Sequence, residues 1–149
     1  GALDELTALG ARQLAAFPRW TVLADPEGQE FCAFVRESPP DYRLYEVVID
    51  SPDPAAIGRW WAQVFGAELE PDEDWDGVGV RAVPGMPFEY LVFGPVPEPK
   101  TVKNRLHWDV EADPDALVAA GATLLRPKGG DIRWHVLADP DGNEFCVFD

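Results

Sequence analysis

Only two histidines occur in the 149 residues, and one of them has acidic company. His107 stands two residues before Asp109 in "RLHWDVEA" (105–112), so in an extended strand both side chains emerge on the same face. By the same alternation Glu46, Val48 and Asp50 share a face of "LYEVVID" (44–50). Were Glu46 and His107 to meet across strands, the carboxylate would raise the imidazole's pKa and equip the pair for general acid–base work. Cys32 and Cys146 sit inside apolar runs and read as small buried hydrophobes rather than a disulfide framework. The acidic run "EPDEDWDG" (70–77) lacks the ligand order of a calcium loop and reads as a solvated surface loop.

The elements that must hold these side chains are repeated. "WTVLADPEGQEFCAF" (20–34) and "WHVLADPDGNEFCVF" (134–148) agree at 11 of 15 positions. Asp-Pro-x-Gly suits a type I turn, and the flanking runs suit the strands of a hairpin. "LDELTALGARQL" (3–14) aligns with "PDALVAAGATLL" (114–125), each a helix closed by a glycine and followed by a strand. The loop between that glycine and the tryptophan is three residues longer in the second copy. Between the copies, "SPDPAAIGRWWAQVFGAEL" (51–69) is a helix capped by Ser51 or Asp53 and closed by Gly66, with Ile57, Trp60, Trp61, Val64 and Phe65 on its core face. "RESPPDYR" (36–43) and "PVPEPKTVKN" (95–104) are linkers. His135 aligns with Thr21 and reads as an exposed strand residue. The expected organisation is a partial unit over 1–36 that lacks its first strand, then a domain over 37–149 made of two βαβββ units, 44–95 and 105–149.

These tandem units, "NRLHWDVEADPDALVAAGATLL" and the closing "DPDGNEFCVF" resemble the vicinal oxygen chelate superfamily, and within it the glyoxalase-like group related to glyoxalase I, bleomycin-resistance proteins and extradiol dioxygenases. The resemblance implies an α+β fold in which the curved mixed sheets of paired units enclose a shared concave cavity. It implies Glu46 and His107 near the cavity floor as acid–base residues, with Val48, Asp50, Tyr90, Asp109 and Cys146 against the ligand. Metal-dependent members place ligands at the start of the first strand and in the last strand of each unit. Here those positions hold Glu46, His107, Cys146 and the apolar run Leu91–Phe93, so no tightly bound metal is expected, although a divalent ion is chemically conceivable. Three readings stay open: a lyase or isomerase using acid–base chemistry, a protein that sequesters an antibiotic-type small molecule, or a degenerate assembly domain.

Twelve Lys and Arg against 27 Asp and Glu leave a net charge of −15, which disfavours nucleic acid and anionic membranes as partners. No signal-like segment or bilayer-length apolar run is seen, so a cytoplasmic protein is expected. The orphan fragment 1–35 suggests the end of a longer tandem protein or association of two copies, and a homodimer in which this fragment supplies much of the interface is expected. Leu6, Leu9, Trp20, Val22, Leu23 and Phe31 would otherwise stay partly wet.

Overall fold

A computed structural model describes residues 1–38, 44–72 and 75–149. The 36–43 linker and the acidic run 70–77 therefore fall partly outside the described residues. The chain divides into two compact units, Gly1–Arg43 and Leu44–Asp149. Among the described residues no helix is long and apolar enough to cross a membrane.

The first unit holds α1 (Ala2–Ala8), β1 (Arg12–Ala16), β2 (Trp20–Ala24) and β3 (Glu30–Phe34), the strands forming an antiparallel sheet in the order β1-β2-β3. The 25–28 turn closes because the Asp25 carboxylate accepts from the backbone N–H of Glu27 at 2.9 Å and of Gln29 at 2.8 Å. Gly28 adopts φ +86°, which a side chain would resist. Leu23 is fully buried, not partly wet as expected, whereas Leu9 is 78% exposed. Cys32 departs from expectation too, being exposed on a strand whose only ladder partner among the described residues is β2.

The second unit contains two four-stranded sheets. The first is built from β4 (Glu46–Ser51), α2 (Pro54–Phe65), β5 (Glu68–Pro71), β6 (Val78–Arg81) and β7 (Tyr90–Pro95), in the order β4-β7-β6-β5. The second, from β8 (Asp109–Glu111), α3 (Pro114–Ala119), β9 (Thr123–Arg126), β10 (His135–Ala138) and β11 (Glu144–Phe148), has the order β8-β11-β10-β9. In both, the first strand pairs parallel with the last, which requires the helical crossover that α2 and α3 supply. Each sheet is thus one βαβββ unit of an α+β fold.

The helix α2 starts where expected, with Asp53 accepting from Ala56 N–H at 3.0 Å and Pro54 in the first turn. It ends at Gly66 in the left-handed region, φ +61°. Its apolar face carries Trp61, fully buried, into a core shared with Phe93, Leu137, Phe145 and Val147. The Trp61 ring lies 5.1 Å from Phe145 and 5.2 Å from Trp108, and its Nε1 donates to Asp139 at 3.1 Å. Trp60 Nε1 donates to the Ala120 carbonyl at 2.8 Å. One helix therefore packs the two βαβββ units together, and its tryptophans are core, as their spacing indicates.

Candidate functional site

With the inner side of each sheet packed on the core, chemistry is left to the opposite face. In the 105–149 sheet the register aligns a row across four strands: Asp109 on β8, Cys146 on β11, Val136 on β10 and Arg126 on β9. His107 precedes this row. The sequence suggests one strand over 105–112, but the ladder begins only at Asp109. Upstream of it the chain is held by other bonds. Asn104 Nδ2 donates to Asn143 Oδ1 at 2.8 Å, and Asn104 N–H to Glu144 Oε2 at 3.3 Å. Cys146 N–H donating to the Trp108 carbonyl at 3.1 Å keeps the segment in register.

The result brings three side chains together. His107 Nε2 lies 3.5 Å from Asp109 Oδ1, and donor atoms of His107, Asp109 and Cys146 all fall within 4.8 Å of one another. Burial pushes the Cys146 thiol pKa up, Asp109's charge and hydrogen bond add to the rise, and Lys103 opposes it. The thiol is therefore a protonated donor to Asp109 and not an activated nucleophile.

A cavity of about 240 Å³ opens over this row, bordered by Trp134, Val136, Ile132, His107, Lys103 and Arg126 among others. Trp134 forms one wall, and behind it the ring packs on Phe148, ring centres 5.7 Å apart. Ile132 arrives on the three-residue excess of the β9–β10 loop, where it bridges Gly129. Arg126 is paired with Asp131, and Glu144 with Lys100 at 2.9 Å, a contact that lowers the Glu144 pKa against the opposing effect of burial. His135, read as exposed, is half-buried, with Nδ1 accepting from Lys128 N–H at 3.5 Å. Lys103, Arg126, Ile132 and Trp134 were not singled out by the sequence. The strand alternation that selected Asp109 would have selected Trp134 and Val136, once β10 was paired with β11.

A model of the glyoxalase-like domain matches residues 1–34 and 46–148. The chain belongs to the glyoxalase-like domain family. Solved structures agree on the fold. A glyoxalase/bleomycin resistance protein/dioxygenase family enzyme from Burkholderia phytofirmans PsJN matches at TM-score 0.50 and 24% identity, over 70% of this chain and 95% of its own. Oxidase ChaP-H2 matches at 0.53 and 17%, over 72% and 93%. A glyoxalase-related enzyme from Fulvimarina pelagi matches at 0.51 and 19%, over 71% and 87%. No curated protein matches the chain. Membership of the glyoxalase-like domain family, together with this shared fold, supports the vicinal oxygen chelate superfamily.

The other sheet of this glyoxalase-like domain presents a different face. Aligning the buried Ile49 with Val110 sets Glu46 beside His107, Val48 beside Asp109 and, through the parallel pairing, Val92 beside Cys146. Val48, Asp50 and Tyr90 thus lie on the 44–95 sheet, where Glu46 faces Tyr90 in register. None of these four residues borders the cavity described above. Tyr90 lies against Gly79, and burial together with Glu70 pushes its phenol pKa up. Trp75 is exposed, as expected of a solvated loop, and one side of its ring rests over Gly94 and Gly77. A Cβ at Gly94 would stand 2.8 Å from it. Trp75 occupies the end of the face that Trp134 and Phe148 cover on the other sheet.

The donor set of the superfamily's metal can be weighed on these residues. The expectation of no tight metal rested on Glu46, His107 and Cys146. The structure puts Asp109 beside the thiol and the imidazole instead. One nitrogen, one carboxylate oxygen and one sulfur fit zinc, and the sulfur disfavours magnesium or calcium. His107, Asp109 and Cys146 would hold such an ion, which would supply a positive charge to polarise a substrate oxygen.

Proposed function

We propose that this glyoxalase-like protein binds a small organic molecule against the open face of its 105–149 sheet. The cavity over the Asp109–Cys146–Val136–Arg126 row carries the reading. It joins an apolar floor and an aromatic wall to a few converging polar groups, as small-molecule sites do, on a scale that suits a compact ligand. Lys103, His107 and Arg126 border it in a chain of net charge −15, so an anionic or carbonyl-bearing group finds its donors here. Trp134 offers a flat surface to an unsaturated ring. The His107–Asp109 contact supports a second reading, proton transfer on the bound molecule, with Asp109 orienting the imidazole.

A thermal-shift screen of small carboxylates, carbonyl compounds and aromatic acids, run in a metal chelator, tests the binding reading. A ligand of the native state raises the melting point. The shift should persist in Glu46→Ala and vanish in Trp134→Ala. Loss in Glu46→Ala with retention in Trp134→Ala would move the site to the 44–95 sheet.

A further inference from the structure

We infer that Asp131 is a built-in stand-in for the carboxylate of the cavity's ligand, a small aromatic acid that takes Arg126 away from it. The inference rests on the binding reading above and narrows its ligand to one class. Arg126 borders the cavity and stands in register with Val136 on its apolar floor. Its guanidinium meets the Asp131 carboxylate through one nitrogen and one oxygen, Nη2 to Oδ1. Among the described residues the Arg126 side chain makes no other hydrogen bond or ion pair. A planar carboxylate in the cavity can instead take two guanidinium N–H groups in parallel, which is the stronger arrangement. Asp131 is easily displaced. Its side chain is 79% exposed and that of Arg126 51%, and ion pairs so placed contribute little because water screens them. Asp131 stands in a turn closed by its own bonds, Gly129 N–H to the Ile132 carbonyl at 3.0 Å and Ile132 N–H to the Gly129 carbonyl at 3.3 Å. Turning the carboxylate outward therefore needs a side-chain rotation and leaves the loop in place, with Ile132 at the cavity border.

The pair is particular to this unit. The position of Arg126 opposite Val136 is held by Ala15 opposite Val22 in the 1–43 unit, and by Glu70 opposite Gly79 on the 44–95 sheet. Only Arg126 is cationic. Asp131 in turn sits on the β9–β10 loop, which is three residues longer than its counterpart in the first hairpin. The cation and the carboxylate that covers it are thus features of the same unit, absent together from the first. Glu144 also lines the cavity, but Lys100 engages it at 2.9 Å, so it does not compete for Arg126. The remaining lining sets the rest of the ligand. Trp134 and Val136 share a face by alternation and offer a ring an apolar bed beside the guanidinium. At about 240 Å³ the cavity falls below the roughly 300–1,000 Å³ of ordinary ligand pockets, so the acid that fills it carries a single ring.

Matched acids and amides test this by titration calorimetry in a metal chelator: benzoate with benzamide, phenylacetate with phenylacetamide, and cinnamate with cinnamamide. In the native chain the acid of at least one pair should bind at least about tenfold more tightly than its amide. Asp131→Asn removes the competing charge and keeps its shape, so it should tighten that acid about two- to fivefold and leave the amide unchanged. Arg126→Gln should weaken the acid at least about tenfold and abolish the preference. Both side chains are exposed, and circular dichroism verifies that the variants fold. An amide bound as tightly as its acid, a preference that survives Arg126→Gln, or acid binding not strengthened by Asp131→Asn would overturn the inference. If the pair only braces the loop, Asp131→Asn weakens acid and amide alike, which overturns it too. In each of these cases binding that depends on Trp134 leaves the proposed function standing. A chain that binds none of the six compounds also overturns the inference, and the thermal-shift screen then decides the broader reading separately.

Discussion

Residues 20–34 and 134–148 fold into the same hairpin and meet different fates. In both, an aspartate carboxylate ties down two backbone amides of the turn, Asp25 in the first and Asp139 in the second. Val22 pairs with Cys32 as Val136 pairs with Cys146, and Trp20 meets Phe34 as Trp134 meets Phe148. Even the bulge is repeated, at Leu14 in β1 and at Leu125 in β9. Burial is not repeated. Phe145 is fully enclosed by Trp61 and Trp60, whereas Phe31 is half-buried. Cys146 lies between two strands and beside Asp109, whereas Cys32 is exposed. Local sequence therefore fixes turn and register, while core and site depend on what the rest of the chain brings alongside.

Substitutions at paired positions sharpen this contrast. Phe145→Ala should cost about 3–5 kcal/mol, the range for emptying an enclosed aromatic site. Phe31→Ala should cost less, about 1–2 kcal/mol, because part of its surface is already in water. Urea denaturation of the two variants checks the ratio, and equal losses would mean the hairpins are equally enclosed. A smaller effect is read by pH at the second of these turns. Burial pushes the Asp139 pKa above the ordinary carboxylate value, against the bonds it accepts from Asn143 and Trp61. A raised folded-state pKa means that the native state holds the proton more tightly. The associated stability is fully present below the ordinary pKa and lost as pH rises through the raised one. Comparing Asp139→Asn with the native chain from about pH 3 to about pH 7 should show that fall only in the native chain. If the two profiles run parallel, the carboxylate titrates as it does unfolded.

Much of the architecture was legible because it rests on short-range chemistry. Asp-Pro-x-Gly announced the hairpins, Asp53-Pro54 and Gly66 bounded α2, and the helical spacing of Trp60 and Trp61 pointed to the core. The site was legible only by halves. Alternation placed His107 with Asp109 on one face, but spacing says which face a residue takes, not which neighbour it meets. That Asp109 lies opposite Cys146 follows from the parallel β8–β11 register, set by a crossover of more than 30 residues. The seat of Trp75 was hidden for a related reason. It depends on two glycines, Gly77 and Gly94, that come together only when β6 and β7 pair. The exposure of Cys32 was missed because an apolar run resembles a central strand wherever it occurs.

The duplicated hairpin also has a consequence for how the chain reaches its fold. β8 is three residues long and completes its sheet only by docking on β11. The chain carries a near-copy of that dock in β3, formed by an equally local hairpin. Hairpins assemble in microseconds, well before a strand separated by a helical crossover can find its place. During folding, β8 is thus expected to meet two hairpin edges that offer its backbone the same bonding groups. Cys32 would offer Asp109 the same thiol as Cys146, so only contacts made beyond the strand pair, such as Trp108 with Trp61, reject the wrong one. Repetition has given this molecule an internal decoy. Refolding should show a slow phase of chains that must release β8 from β3 and start again, a phase that Cys32→Lys on the decoy would suppress.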